Sequence, residues 1–308
     1  MPTAPIPPEI ASRYAEALDA GDVEGVLRAI SDLRVGGNSR TCEAWLVEAW
    51  ERFPAEPRLA VRLLEQHQRY RVWDAFDATA EVAFKRHPDD PDVHYVVGCG
   101  YEARGLWSKA ARSFGEAVAH DPDEIEPALR QARALRIEQR REDAQAVLEA
   151  LLKRHPDAAA AHAALGYMAI DQGDPEKAIA RFRKAVEHQP DWTPYLDDLA
   201  TALNLCDQWA EAARIAMRSL EHRKKNERAW SVLASASAKL GNATRADQAY
   251  KNAIRASKDP SRAQGNYGLF LAKDPARLLE AVRMLKTAHA AHPDWDEVGA
   301  TLDGLLDT

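Results

Sequence analysis

Pro54, Pro88, Pro122, Pro156 and Pro190 stand 34 residues apart along the chain. A period of that length requires one supersecondary unit copied along an axis. A single copy is too small to bury its own apolar face, so each must stack on the next. Such arrays usually bind other molecules and seldom carry out chemistry. The register of the repeat is therefore the frame for every other residue.

Taking each proline as position 32 gives eight repeats: 23–56, 57–90, 91–124, 125–158, 159–192, 193–226, 227–260 and, with one extra residue, 261–295. Lys224 and Lys258 replace the proline, and Pro293 restores it after the insertion. Position 8 is mostly small (Gly98, Ala132, Gly166, Ala200, Ala234, Gly268), as is position 20 (Ala110, Ala144, Ala178, Ala212, Ala246, Ala281). Position 27 is mostly alanine, and position 24 is mostly large (Leu46, Phe114, Leu148, Phe182, Tyr250, Leu285). Positions 20, 24 and 27 share one helical face, and small residues let two helices approach closely. Glycine at position 15 (Gly37, Gly105, Gly173, Gly241) suits the left-handed residue that ends a helix. Each repeat therefore predicts a helix of roughly 13 residues, a tight turn and a second helix stopped by proline. The aspartate after the proline (Asp89, Asp123, Asp157, Asp191, Asp294) is placed to cap the next helix.

This pattern resembles the tetratricopeptide repeat. Gly98, Tyr101, Gly105, Ala110, Phe114, Ala117 and Pro122 carry the resemblance in one repeat, and Leu165, Gly166, Gly173, Ala178, Phe182, Ala185 and Pro190 in another. It covers residues 23–295 and is weakest in the first two repeats. There Cys42 and Phe76 replace alanine, and Ile30 and Leu64 replace a small residue, which predicts irregular or bent packing. The resemblance implies an all-α, right-handed α-solenoid. Residues 1–22 read as an N-terminal segment with an extra helix at 8–20, and 296–308 as a closing helix.

The resemblance also implies that the first helix of each repeat faces a ligand through positions 2, 5, 6, 9, 12 and 13. Carried over, these positions place Arg28, Arg34, Arg58, Arg62, Arg69, Arg130, Arg133 and Arg136 in the N-terminal half of a groove. Asp171, Asp197, Asp198 and Asn204 fall in the C-terminal half, and Tyr95 and Tyr167 flank the Arg130–Arg133 repeat. Arginine forks bind carboxylates or phosphates in bidentate fashion, and tyrosine is a rigid amphipathic anchor. The expected ligand is an acidic or C-terminal segment of a protein partner. The competing expectation is that these arginines pair with Glu65, Glu102, Glu126 and Glu138, as solvated helix faces commonly do. Chaperone-terminus binding is disfavoured, since no successive trio of repeats shows the lysine, asparagine and arginine set that a subfamily uses for it.

Net charge is −7, which argues against a duplex nucleic-acid binder. No stretch approaches 18 apolar residues and the N-terminus lacks a basic and apolar leader, so neither a membrane span nor a signal peptide is expected. Cys42, Cys99 and Cys206 are too few and too far apart for a disulfide framework or a zinc site, which suits a cytoplasmic setting. His87, His120, His155, His188, His222 and His292 recur at positions 30–31, where imidazole complements a helix C-terminus. The pair His289 and His292 is a weak metal signal. Trp73, Trp107 and Trp209 share position 17 and read as packing residues. No phosphate-binding loop, nucleophile elbow or zinc-hydrolase motif is present. The reading is of a cytoplasmic, bacterial, non-enzymatic adaptor or scaffold without cofactor or metal. The alternatives are a regulatory or substrate-presenting subunit of an enzyme complex, and a homo-oligomer formed through the first two repeats.

Overall fold

The computed structural model describes residues 6–35 and 38–307. Gly37 and residues 1–5 lie outside the described residues. Among the described residues the secondary structure is helical, with no strand. The chain divides after Pro156 into two compact units.

The N-terminal unit opens with α1 (Pro8–Ala20), followed by four helix pairs. These are α2 (Val23–Val35) with α3 (Ser39–Arg52), and α4 (Pro57–Tyr70) with α5 (Trp73–Arg86). Next come α6 (Pro91–Ala103) with α7 (Trp107–His120), and α8 (Ile125–Ile137) with α9 (Arg141–Arg154). The C-terminal unit holds α10 (Ala159–Asp171) with α11 (Pro175–His188), and α12 (Thr193–Leu205) with α13 (Trp209–His222). It continues with α14 (Glu227–Lys239), α15 (Ala243–Ala256), α16 (Ser261–Leu271) and α17 (Leu278–Ala291), and ends in α18 (Asp296–Leu306). No helix is long and apolar enough to cross a membrane among these residues.

Every first helix starts at position 1 and every second helix at position 17, except α17, which starts one residue later. The extra residue of the last repeat is absorbed by a short 3-10 turn, Pro275–Arg277, ahead of α17. Proline opens α4, α6 and α11, where its missing N–H would have had no helical partner anyway. Between the two helices, position 15 is left-handed in six of the repeats, whereas in the last one it is Pro275, which opens the 3-10 turn. Gly105, Gly173 and Gly241 have φ of 70°, 75° and 76°, while Arg71, Gln139 and Asp207 reach 57°, 61° and 58° without being glycine. Each second helix ends where the residue before the position-32 site donates its N–H to the carbonyl of position 27, as Asp121 does to Ala117 at 2.9 Å. The proline that follows cannot continue the ladder.

The aspartates after the prolines do not cap the next helix. The capping residue is position 34, and Asp90 and Asn226 accept the N–H of Val93 and Ala229 there. One residue earlier the chain is still inside the turn. Asp89 and Asp191 instead lie 3.8 and 3.4 Å from His120 and His222, at the end of the next repeat's second helix.

Positions 8 and 24 are two sides of one contact. A Cβ on Gly166 would lie 2.7 Å from Phe182, and one on Gly268 would lie 2.8 Å from Leu285. The first two repeats reach close packing by another route. Phe76 is wholly buried, and its ring takes the space beside Gly100, where a Cβ would lie 2.1 Å from the ring. Leu64 and Ile30 are buried as well, and α2 to α5 keep the common helix register. Among the first helices, α4 packs on α6 and α12 on α14.

Candidate functional site on the first-helix faces

In the N-terminal unit, α2, α4 and α6 frame an open cleft of about 1120 Å³ lined by Arg28, Arg34, Arg58, Arg62, Arg69 and Tyr95. Helical spacing puts Arg28 and Arg62 at position 6 of successive repeats, with Arg34 and Arg69 two turns further on at positions 12 and 13. Not all of these charges are free. Arg58 pairs with Glu24 at 3.2 Å and Glu56 at 3.1 Å, and Arg62 pairs with Glu65 at 2.8 Å. Arg28, Arg34 and Arg69 have no carboxylate within ion-pair distance among the described residues. At the other edge of the cleft, Asp90 caps α6, and burial with the neighbouring Asp90 and Asp121 charges pushes Asp92 upward. Leu27, Ile30, Val61 and Val96 also line the cleft, which thus combines apolar surface with spare arginines at one edge and two carboxylates at the other.

Arg130 and Arg133 sit beside this cleft but are engaged. Arg130 bonds Glu102 at 2.7 Å and Glu126 at 2.8 Å, with its guanidinium 5.7 Å from the Tyr95 ring centroid. Arg133 reaches the other oxygen of Glu102 at 3.0 Å. Arg136 also has a partner. Burial pushes the Tyr95 phenol up to about 12 and raises the Cys99 thiol next to it, so neither is activated. Glu138, the fourth carboxylate weighed against the arginines, accepts from Ser108.

The C-terminal unit corrects the expected acidic groove. Asp197 is 6% exposed and points inward. Its carboxylate accepts from Ser219 at 2.6 Å and from the Asn226 amide at 2.9 and 2.7 Å, tying α12 to α13 and to the start of α14. Asp198 is 2% exposed, accepts from the Tyr167 hydroxyl, and bonds Arg228 at 2.6 Å. Burial, with the carboxylate partner, raises the Tyr167 phenol. Asn204 donates to Ser235 at 3.3 Å. Asp171 is partnered too. These side chains brace adjacent repeats and present little negative charge to a ligand.

No group of three His, Cys, Asp or Glu side chains that could hold a metal occurs among the described residues. His292 closes the end of α17 by bonding the Ser261 hydroxyl at 2.9 Å.

The tetratricopeptide repeat family models match residues 129–191 and 227–260. The chain is a tetratricopeptide-repeat protein. No curated protein matches its sequence. Among solved structures, this tetratricopeptide-repeat protein is similar to the C-terminal part of a TPR repeat-containing protein from Cytophaga hutchinsonii. That match has a TM-score of 0.62 at 14% identity and covers 80% of this chain and 99% of the other. It is also similar to the Cut9–Hcn1 hetero-tetramer structure of the APC/C, with a TM-score of 0.60 at 16% identity, covering 95% of this chain and 59% of that one. A third is YrrB, described as a TPR protein with an unusual peptide-binding site, with a TM-score of 0.51 at 21% identity, covering 61% and 96%.

The repeat register placed Arg28, Arg62 and Tyr95 on the cleft, and put Arg34 and Arg69 beside them. It did not identify Arg228 as the partner of Asp198, nor Arg277 as the partner of Asp247 at 2.6 Å. Those pairs join residues 30 apart on different helices. A search for opposite charges at near-repeat spacing would have found both.

Proposed function

We propose that this tetratricopeptide-repeat protein is a non-catalytic interaction scaffold that captures an acidic segment of a protein partner in the arginine cleft of its N-terminal unit. The observation that carries this reading is the difference between engaged and spare arginines. Arg58, Arg62, Arg130 and Arg133 already have carboxylates at 2.7–3.2 Å, whereas Arg28, Arg34 and Arg69 line the same open cleft without one. Partner carboxylates would complete these forks, with Tyr95 as the apolar anchor beside them. Asp90 and Asp92 at the opposite edge would repel an acidic segment there and so favour one orientation.

The test is selection of a displayed random peptide library on the purified protein. Selected peptides should be enriched in aspartate and glutamate and should lose binding to Arg28→Glu/Arg69→Glu. Peptides without acidic enrichment, or acidic ones that bind this variant as well as the parent, would refute the reading.

A further inference from the structure

The turns joining the two helices of each repeat expose apolar side chains at one recurring place. Tyr70, Val72, Ile137, Ile170, Leu205 and Leu240 all stand at positions 12–16, and Leu205 is 64% exposed. Single exposed apolar residues are ordinary, but recurrence at one place in a repeat builds a ridge. In the N-terminal unit the turns of successive repeats touch. The Arg104 guanidinium lies 5.4 Å from the Trp73 ring centroid and pairs with Asp77 at 2.6 Å, and Ser108 donates to Glu138 in the following repeat. The C-terminal unit is built alike. Burial raises the Cys206 thiol, and so do the charges of Asp207 beside it and of Glu176 from the preceding repeat. The Lys239 ammonium lies 6.0 Å from the Trp209 ring centroid, across the next junction. Each unit therefore carries a run of adjacent turns along one edge.

The two edges differ in sign. Positions 13–17 of the second, third and fourth repeats hold Arg69, Arg71, Arg104, Arg140 and Arg141 against Glu138 alone. The same positions of the fifth and sixth repeats hold Asp171, Asp174 and Asp207 with no cation, and Lys239 restores positive charge in the seventh. Just behind the turns the charges are mixed, with Asp74 and Glu142 on the basic side and Lys177 on the acidic side, so the turns themselves set the sign. Several of the turn charges are engaged: Arg104 with Asp77, Arg140 with Asp143 at 2.8 Å, and Asp174 in capping α11. Arg71 and Arg141 have no carboxylate, and Asp207 and Glu176 no cation, within ion-pair distance among the described residues; all four are exposed.

We propose that the acidic turns of the C-terminal unit of one copy dock on the basic turns of the N-terminal unit of a second copy. Both edges are built on one repeat, so their turns share a spacing and the apolar side chain of one turn fits between two turns opposite. Val72 and Ile137 on one edge and Ile170 and Leu205 on the other are then covered together. Arg71 and Arg141 meet Asp207 and Glu176, and each gains the partner that its own chain withholds. The surface that matches in spacing, apolar content and opposite sign stands on this chain itself, which makes a second copy the occupant.

The experiment is light scattering and sedimentation of the full chain over a concentration series. The mass should rise above that of one chain with concentration and fall back as salt screens the pairs. Arg71→Asp/Arg141→Asp and Glu176→Arg/Asp207→Arg should each weaken self-association about tenfold or more, since like charges then face each other. Arg71 and Asp207 occupy the same left-handed position, so each already shows that the other's residue is accepted there. An equimolar mixture of the two variants should associate again, because every edge then meets its opposite, and a variant that had merely misfolded would not recover. Val72→Ser/Leu205→Ser should weaken association of the parent. A single-chain mass at every concentration, unchanged association of either charge-reversed variant, or a mixture that stays monomeric would overturn the proposal. None of these four charges lines the arginine cleft, so the result is separable from peptide capture there.

Discussion

Gly98 and Phe114 share one volume. A Cβ on Gly98 would lie 2.6 Å from Phe114 Cε1, and the ring itself has no exposed surface. The glycine is on the first helix of the repeat and the phenylalanine on the second, so this contact sets how closely the two helices approach.

Gly98→Ala should therefore destabilise the protein by about 1–3 kcal/mol, although glycine to alanine within a helix ordinarily stabilises by about 1 kcal/mol. Urea unfolding would measure it. Adding Phe114→Leu should recover part of the loss, and a stabilised Gly98→Ala protein would show that the contact is not limiting.

Arg71 holds a left-handed conformation, φ 57°, at the position where Gly173 and Gly241 take φ 75° and 76°. Arg71→Gly should raise stability by about 0.5–1 kcal/mol, since relief of the backbone strain exceeds the added chain entropy. Gly173→Ala should lower it by about 1 kcal/mol. Thermal melts of the two variants should move in opposite directions.

Asp197 joins three helices through Ser219 and Asn226 and is almost fully buried. Asp197→Ala strands these donors and should cost about 3 kcal/mol. The exposed Asp191→Ala should change stability by no more than about 0.5 kcal/mol. Hydrogen exchange should locate the Asp197 effect in the amides of α12 to α14.

Asp247 has an acid-side signature. Burial raises its carboxyl, but hydrogen bonds from Lys251, Tyr267 and Arg277 outweigh that and hold it at about 2, below the ordinary 3.8. A folded-state value below the unfolded one contributes stability that is full above about pH 4 and is lost as pH falls through 2. Asp247→Asn should flatten the stability profile between those limits and leave a pH-independent deficit above them. An acid titration followed by circular dichroism would show both.

Arg130 and Arg133 already share Glu102, which is only 13% exposed at its side chain. Arg130→Met should destabilise the N-terminal unit more than Arg133→Met, because Arg130 has two carboxylate partners and is the more buried. On selected acidic peptides, either substitution should cost less affinity than Arg28→Glu/Arg69→Glu. Fluorescence anisotropy at two salt concentrations would measure this, with the arginine-cleft contribution falling as salt screens it.

Much of the fold was legible in the chain because helix starts and stops are local. Trp107 opens α7, Gly105 supplies the left-handed turn before it, and Pro122 stops the helix's continuation, all within 18 residues. The sequence marked position 8 as small and position 24 as large, with the large residues expected to fill the space between repeats, but the packing shows that the two positions meet within one repeat. Where Phe76 replaced the usual alanine, the compensating Gly100 lay in the next repeat, and only the packing shows that the two belong together.

The sequence by itself determined the repeat length, the helix register and which residues stand on each first helix. Only the tertiary structure decided which charges were left over. Arg130 reaches Glu102 and Arg228 reaches Asp198 across 28 and 30 residues, so a carboxylate on a neighbouring helix can neutralise an arginine that looks free in its own repeat. The same geometry turned Asp197 inward and left Arg28, Arg34 and Arg69 lining an open cleft. Periodicity specifies a helical face, whereas ion pairing depends on distances between faces, and those exist only once the helices have packed.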